Sequence, residues 1–415
     1  MTCYGILTWL FLEPMNAKFN VKLSAAMLCS CLLASPAVLA SSEKLEISGF
    51  GRVVAGFTDD RDVSFEGYEN ELSFQEQTLL ALQVDYHLLD NLTITSQLLA
   101  HTNSERDSGV EWLYASYVPH SNWLVKGGRM RTPFYHYSDV IDVGFAYPWI
   151  SPPQQLYSAF LFNQYDGASV IHNFALGNFS GSVEGYYGSF NGDTQFQDRR
   201  YATNIDGLTG LVFSGVYNAN LRLRASYSTA DFSVNLAEIS AFADQLRSFG
   251  FVESADSLTM EGEFDIYQVG LALDELDYNL AWEWMRIESD TVLAPNIESY
   301  YVQGGLVFQP FTVHLTYADM ATNPQGAATD IPLGLAPDLD QLYYAYQTVF
   351  ARTQAADLES ITLGVRWDAG VRVAFKAEVT HYRGALGIST FEAVGDRDAF
   401  DERVNLYQLG MEFVF

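Results

Sequence analysis

Cysteine is missing from residues 41–415; Cys3, Cys29 and Cys31 all fall in the first 40 residues. A chain without cysteine beyond its leader builds no disulfide framework, which removes the commonest staple of exported proteins. Basic residues are scarce, 22 Lys and Arg against 51 Asp and Glu, for a formal net charge of −29. Beyond residue 40 the balance is 50 acids to 20 bases, which excludes a generic polyanion binder such as a nucleic-acid protein. No run past residue 40 approaches the ~20 continuous apolar residues of a membrane helix. There is no G-x-S-x-G elbow, no P-loop and no metal-ligand spacing, so no cofactor or metal is expected. Tyr135-His136-Tyr137-Ser138-Asp139 does place His, Ser and Asp close together. Catalytic triads are defined by spatial geometry, however, and three neighbours on one loop rarely converge, so the chain is not read as an enzyme.

The first 40 residues read as a targeting segment. Met1–Pro14 is apolar and carries no basic residue, which favours Met15 over Met1 as the start. From Met15 come Lys18 and Lys22, the apolar run Leu23–Leu33, and Val38-Leu39-Ala40 before Ser41. Small residues at the last and third-last positions suit cleavage after Ala40. A lipoprotein box at Leu28-Cys29-Ser30-Cys31 fits less well, because the apolar run before it is short and more apolar sequence follows. The chain thus divides into a leader, 1–40, and one domain, 41–415.

What the domain does have is alternation. In the stretch from Val371, the residues Val371, Val373, Phe375, Ala377 and Val379 alternate with Arg372, Lys376 and Glu378. Leu221, Leu223, Ala225 and Tyr227 alternate with Arg222, Arg224, Ser226 and Ser228, and Phe311–Tyr317 repeats the pattern. Period two at this length marks strands with one face for hydrocarbon and one for water. Sixteen such runs start near Leu45, Ser73, Leu92, Val110, Asn122, Gln164, Asn178, Asn204, Asn220, Met260, Asp277, Ile297, Pro310, Leu358, Val371 and Arg403. Short connectors (Leu89-Asp90-Asn91, Asn218-Ala219, Gln309-Pro310, Ala369-Gly370) alternate with long ones (58–72, 132–163, 191–203, 233–259, 321–356, 384–401). The reading is all-β: an antiparallel transmembrane barrel of sixteen strands with both termini at the periplasmic side. The long connectors carry the acid, as in Asp59, Asp60, Asp62, Glu66 and Glu69 against Arg61 alone. Helical spacing appears in two of them, at Leu236, Ile239, Phe242, Leu246 and Phe249 and at Leu339, Leu342, Tyr346 and Val349, and predicts short helices packed on the rim.

Connector 132–163 differs from the others. Nine Phe, Tyr and Trp lie between Phe134 and Phe162, with Tyr147-Pro148-Trp149 and Pro152-Pro153. A loop that long is usually functional or disordered, and disordered segments lack aromatics. It is expected to fold inward and narrow a pore; lying over the mouth or against a neighbouring subunit is the alternative. The chain closes on Tyr407, Leu409, Met411, Phe413 and Phe415, all on one face.

With Ile47-Ser-Gly-Phe-Gly-Arg52 at the start, the strand count, the long loop after the fifth strand and the terminal Phe415, residues 41–415 resemble the sixteen-stranded trimeric porins of the Gram-negative outer membrane. The resemblance is one of pattern. It implies a homotrimer, a third external loop that sets the pore width, and loop acids facing basic residues across the opening. It also implies that Tyr407, Phe413 and Phe415 form the assembly signal read by the barrel-insertion machinery. The acids available on the loop are Asp139 and Asp142; the inward bases by alternation are Arg52, Arg222, Arg224, Arg366, Arg372 and Lys376, with Arg129 and Arg131 where the fifth strand enters the loop. Some of these arginines are expected only to pair with Glu46, Glu184, Glu283 or Glu378 and stiffen the wall.

A sixteen-stranded barrel leaves an aqueous channel unless something fills it. A charge facing lipid at mid-depth costs roughly 2–4 kcal/mol, whereas one facing the lumen stays hydrated. The function implied is passive diffusion of small hydrophilic solutes and ions across the outer membrane, among lipid and lipopolysaccharide. Two alternatives stand beside it. One is a substrate-selective pore, with Tyr135, Tyr137, Trp149, Arg222 and Arg224 as solute contacts. The other is a plugged structural or adhesive barrel. Trp112, Trp282, Trp284 and Trp367 are read as interface-girdle residues.

Overall fold

The computed structural model describes residues 44–415, except 104, 105, 107, 159–161, 197, 198, 324, 327, 328, 354–356, 388 and 389. The proposed leader, its cleavage site and both candidate start residues lie outside the described residues. Sixteen antiparallel strands close into a barrel. They are β1 (Leu45–Thr58), β2 (Leu79–Leu89), β3 (Leu92–His101), β4 (Gly109–His120), β5 (Trp123–Arg131), β6 (Gln164–Leu176), β7 (Phe179–Phe196) and β8 (Arg199–Tyr217). The second half comprises β9 (Leu221–Val234), β10 (Glu261–Asp274), β11 (Tyr278–Ser289), β12 (Asn296–Phe308), β13 (Phe311–Asn323), β14 (Leu358–Gly370), β15 (Val373–Gly384) and β16 (Arg403–Val414). Each strand pairs with its neighbours in sequence, and β1 closes on β16 from Phe50↔Val414 to Thr58↔Leu406.

Alternation sorts the two faces of the wall. On β15, Phe375 and Val379 are exposed outward, whereas Lys376 and Glu378 are buried on the inner face. An outer face of Leu, Val, Phe and Tyr is what a hydrocarbon solvent requires. The girdle residues Trp282, Trp284 and Trp367 lie on that face, in register with exposed Leu280 and Phe375. Trp112 does not: it lies on the inner side of β4, with Arg131 6.0 Å from its ring centre.

At the β1–β16 seam, glycine meets aromatic. A Cβ on Gly49 would lie 2.3 Å from the Phe415 ring, and one on Gly51 would lie 2.5 Å from the Phe413 ring. The two terminal rings cover backbone that any larger residue would displace.

Three boundaries differ from the expected ones. The second strand begins at Leu79, not near Ser73. Ser73 does bridge to Gly56, but the intervening residues bend and the Thr78 hydroxyl accepts the Val54 amide at 3.1 Å, standing in for a ladder partner. Connector 191–203 was expected as a loop; its residues 191–196 and 199–203 belong to the strands of the β7–β8 hairpin, 18 and 19 residues long, which pair out to Phe196↔Arg199. Arg372 falls in the β14–β15 turn, exposed.

The expected helices form as α2 (Ala237–Phe249) and α4 (Pro337–Thr353), after a one-turn α1 (Gln154–Tyr157), with a short α3 (Val252–Asp256) following α2. They pack on each other through Leu246, Ala255, Leu258, Tyr346 and Phe350. Asp330 caps α3 by accepting the Glu253 and Ser254 amides. The acidic first connector also buries an apolar patch. Its Val63–Phe65 pairs with Phe391–Ala393, and Phe65 and Tyr68 pack against Tyr382, Val404 and Leu406 of the inner wall.

Candidate functional site: loop 132–163 and its wall

A loop with little regular structure must find hydrogen-bond partners for its buried backbone outside any ladder. Charged side chains of the wall supply them here. Lys376 on β15 donates to the carbonyls of Gly144 (2.7 Å) and Tyr147 (2.9 Å) and to that of Trp149. Its charge is balanced by Glu412 on β16 at 2.6 Å. Arg366 on β14 donates to Phe145 and Tyr147, at 2.8 and 3.0 Å. Arg52 on β1 donates to the carbonyls of Gln77 and Ile150. Carboxylates do the converse: Glu378 accepts the Ile150 amide at 2.7 Å, and Glu283 accepts the His136 amide at 2.9 Å and the Tyr157 hydroxyl at 2.6 Å. Gly144 is required by this fit, since a Cβ there would lie 2.2 Å from the Glu412 carboxylate.

The aromatics explain why the loop packs. Tyr137, Tyr147, Trp149 and Tyr157 form a cluster closed by Tyr301 of β12, with Trp149 edge-on to Tyr301 at 5.5 Å. Trp149 is fully buried and donates to Thr316 at 2.8 Å. Burying one such ring is worth roughly 1.5–3 kcal/mol, so the cluster matches the polar bonds in weight.

On the other side, four charges interlock. Asp142 bonds Arg131 (2.5 Å) and Arg106 (2.7 Å), and Glu111 bonds the same two arginines at 2.6 and 2.7 Å. Burial alone would raise the Asp142 pKa; Arg106 and Arg131 outweigh it and hold the carboxyl well below its ordinary range.

The expected pairing of loop acids with bases is found for Arg131 with Asp142, and the other bases are engaged elsewhere. Arg52, Arg366 and Lys376 meet loop carbonyls, not Asp139 or Asp142. Arg129 is on the outer face, paired with Asp166 at 3.0 Å, because the buried Met130–Tyr165 pair next to it faces inward. Arg372 is a turn residue. Of the expected solute contacts, Tyr137 and Trp149 are buried within the loop, and Tyr135, also buried, borders a cavity. Tyr407 and Phe415 are outward and exposed, and Phe413 stacks on Phe415. His136, Ser138 and Asp139 do not converge: the Ser138 hydroxyl accepts the Tyr135 amide, and the His136 ring packs edge-on to Tyr137.

Asp139 is exposed. It borders a cavity of about 150 Å³ with Lys126, Arg131, Tyr165 and Glu184. Toward the long-loop end lies a cavity of about 500 Å³ that Arg131 also lines. Toward the short-turn end lies one of about 370 Å³, lined by His136, Arg222 and Arg224. Arg224 also donates to the carbonyl of Pro133, which borders the middle cavity. Lys126, Arg106, Glu111 and Glu412 were not among the expected site residues. Lys126 was legible, two positions from Gly128 on the inner phase of β5. Arg106 was not, because its role depends on a connector folding back.

No family model matches the sequence, and no curated protein matches it. Solved structures do match. OmpT, an outer membrane protein of Vibrio cholerae, superposes with a TM-score of 0.55 at 12% identity, over 91% of this chain and 99% of that one. The outer membrane channel DcaP of Acinetobacter baumannii matches with a TM-score of 0.53 at 12% identity, over 89% and 97%. OmpF of Salmonella typhi, in complex with daunomycin, matches with a TM-score of 0.52 at 12% identity, over 89% and 97%. The chain has the fold of the sixteen-stranded outer-membrane porins.

Proposed function

We propose that the chain is an outer-membrane channel for passive diffusion of small hydrophilic solutes and ions, exported by a leader ending near Ala40. In this reading loop 132–163 folds into the bore and narrows it off-centre. The observation that carries the reading is the row of three cavities along β4–β9, whose middle member of about 150 Å³ is flanked by Asp139 and Lys126. That volume corresponds to about five waters, so the passage would admit ions and small solutes only. The opposite wall, where Arg366 and Lys376 bind loop carbonyls, would carry no flux.

Homotrimer formation, recognition of Phe415 by the insertion machinery and contact with lipopolysaccharide complete the proposal. A role without catalysis fits the separation of His136, Ser138 and Asp139. A plugged barrel is the second reading, favoured by the number of strands that hold the loop. Conductance of the refolded chain in a planar bilayer tests both. Stepwise openings in threes support the trimeric channel, and a correctly folded barrel without conductance leaves the plugged one.

A further inference from the structure

The cavity at the short-turn end differs chemically from the other two. Four inner-face residues stand in one cross-strand row: Asn173 on β6 pairs with Ser182 on β7, Ser182 with Ser214 on β8, and Ser214 with Arg224 on β9. The next position in the row, on β10, is Gly270, which adds no side chain beside Arg224. Arg222 lies one inner-face step nearer the turn and keeps 39% of its side chain exposed. From the loop, His136 also lines the cavity.

The facing charges decide which solute fits. Arg222 pairs with Asp274 on β10 at 2.6 Å, and Arg224 is held by the Pro133 carbonyl. Glu184 lies one inner-face step from Ser182 toward the middle cavity. Burial, Arg222 and Arg224 together hold the His136 imidazolium down to about 4, so at neutral pH the ring adds no charge. The two guanidiniums meet Asp274 on Arg222 and, one strand beyond Gly270, Glu283, whose carboxylate is taken up by the His136 amide, the Tyr157 hydroxyl and Gln268; the guanidinium edges that face the cavity stand beside a neutral row of two hydroxyls and an amide. A dianion would be under-compensated, and a neutral solute would leave a guanidinium edge without an acceptor. Guanidinium forks match carboxylates in geometry.

We propose that this cavity binds a small hydroxylated carboxylate, its carboxylate on Arg222 and Arg224 and its hydroxyls along Asn173, Ser182 and Ser214. The proposal rests on the channel reading only in supposing that solutes reach the cavity. The cavity of about 370 Å³ accommodates a six-carbon sugar acid.

The test uses gluconate, with glucose and inorganic phosphate as comparators, on the refolded chain in detergent and in a bilayer. Calorimetry should show gluconate binding and none by glucose. Arg222→Gln should weaken binding by about tenfold, the loss of one charge-assisted hydrogen bond. Asp274→Asn should tighten it, because it removes the competing carboxylate; this variant serves even where Arg222→Gln fails to fold. In the bilayer, gluconate should reduce single-channel current more strongly from the short-turn side. Equal binding of glucose, tighter binding of phosphate, or indifference to Asp274→Asn would overturn the proposal. Binding without conductance would keep the site and remove the channel reading; conductance without binding would do the reverse.

Discussion

The residues with the greatest influence on this molecule are wall charges committed to the loop's backbone. Lys376, Arg366 and Arg52 are the residues that alternation marks as inward, and they are inward. Their task differs from the expected one because a loop packed against a wall has carbonyls to satisfy before it has charges to face. Asp139 and Asp142, three positions apart, are consequently unlike. Asp139→Asn should shift the reversal potential in a KCl gradient toward anions, since the carboxylate borders the middle cavity and is exposed. Asp142→Asn should leave selectivity nearly unchanged. It should instead loosen the loop, because breaking a buried pair costs roughly 3–5 kcal/mol; faster proteolysis within 132–163 would report it.

His136 sets a pH window. Its folded-state pKa is lowered to about 4 from 6.5, so the unfolded state binds the extra proton between those values and stability falls as pH falls through them. Toward pH 4 the ring charges beside Arg222 and Arg224. Reversal potentials at pH 7 and pH 4 should then differ in the anion-selective direction, and His136→Gln should reduce the difference, leaving the part that comes from exposed carboxylates, which take up protons toward the same pH.

At the scale of elements, the seam is the vulnerable place. Gly49→Val or Gly51→Val should lower folding yield, seen as loss of the heat-modifiable band on electrophoresis, because the Phe415 and Phe413 rings occupy that space. Leu246→Ala should act elsewhere, costing roughly 2–5 kcal/mol within the helical cap while the barrel remains closed. Strands and helices were legible for a common reason: solvent on one side and packing on the other impose period two or period 3.6 on the residues. Lys376 and Phe375 on β15, or Leu246 and Ala243 on α2, show it directly. The β7–β8 extension was not legible, because Asn191, Asp193 and Thr194 carry no apolar alternation; the side-chain links across it are polar, Asn191 to Asn204 and Thr194 to Thr203. The site was legible as a list of charges but not as a set of pairs. Nothing in the order of residues reveals that Arg106 returns to Asp142, or that Met130 faces inward and turns Arg129 outward.

For the whole molecule, acids outnumber bases 51 to 22, and the long connectors hold clusters of them, such as Asp59, Asp60, Asp62, Glu66 and Glu69; on the proposed channel reading the field at the long-loop end gathers cations. Its reach shrinks from ~10 Å at 0.1 M salt to ~3 Å at 1 M. Cation preference should therefore decline as KCl is raised, whereas the contribution of Asp139, beside the middle cavity, should persist.

Loop 132–163 bonds to β1 on one side and to β9 and β11 on the other, with β14 and β15 between. Mechanically, on the proposed inward fold, this is a strut across a hoop. An unbraced sixteen-stranded ring flattens under lateral load by shearing its ladders, and a strut fixed at several points around the circumference opposes that flattening. Membrane tension applied by pipette suction should accordingly leave the conductance constant. Cutting the bonds to β14 and β15, by Lys376→Met with Arg366→Met, should make it tension-dependent.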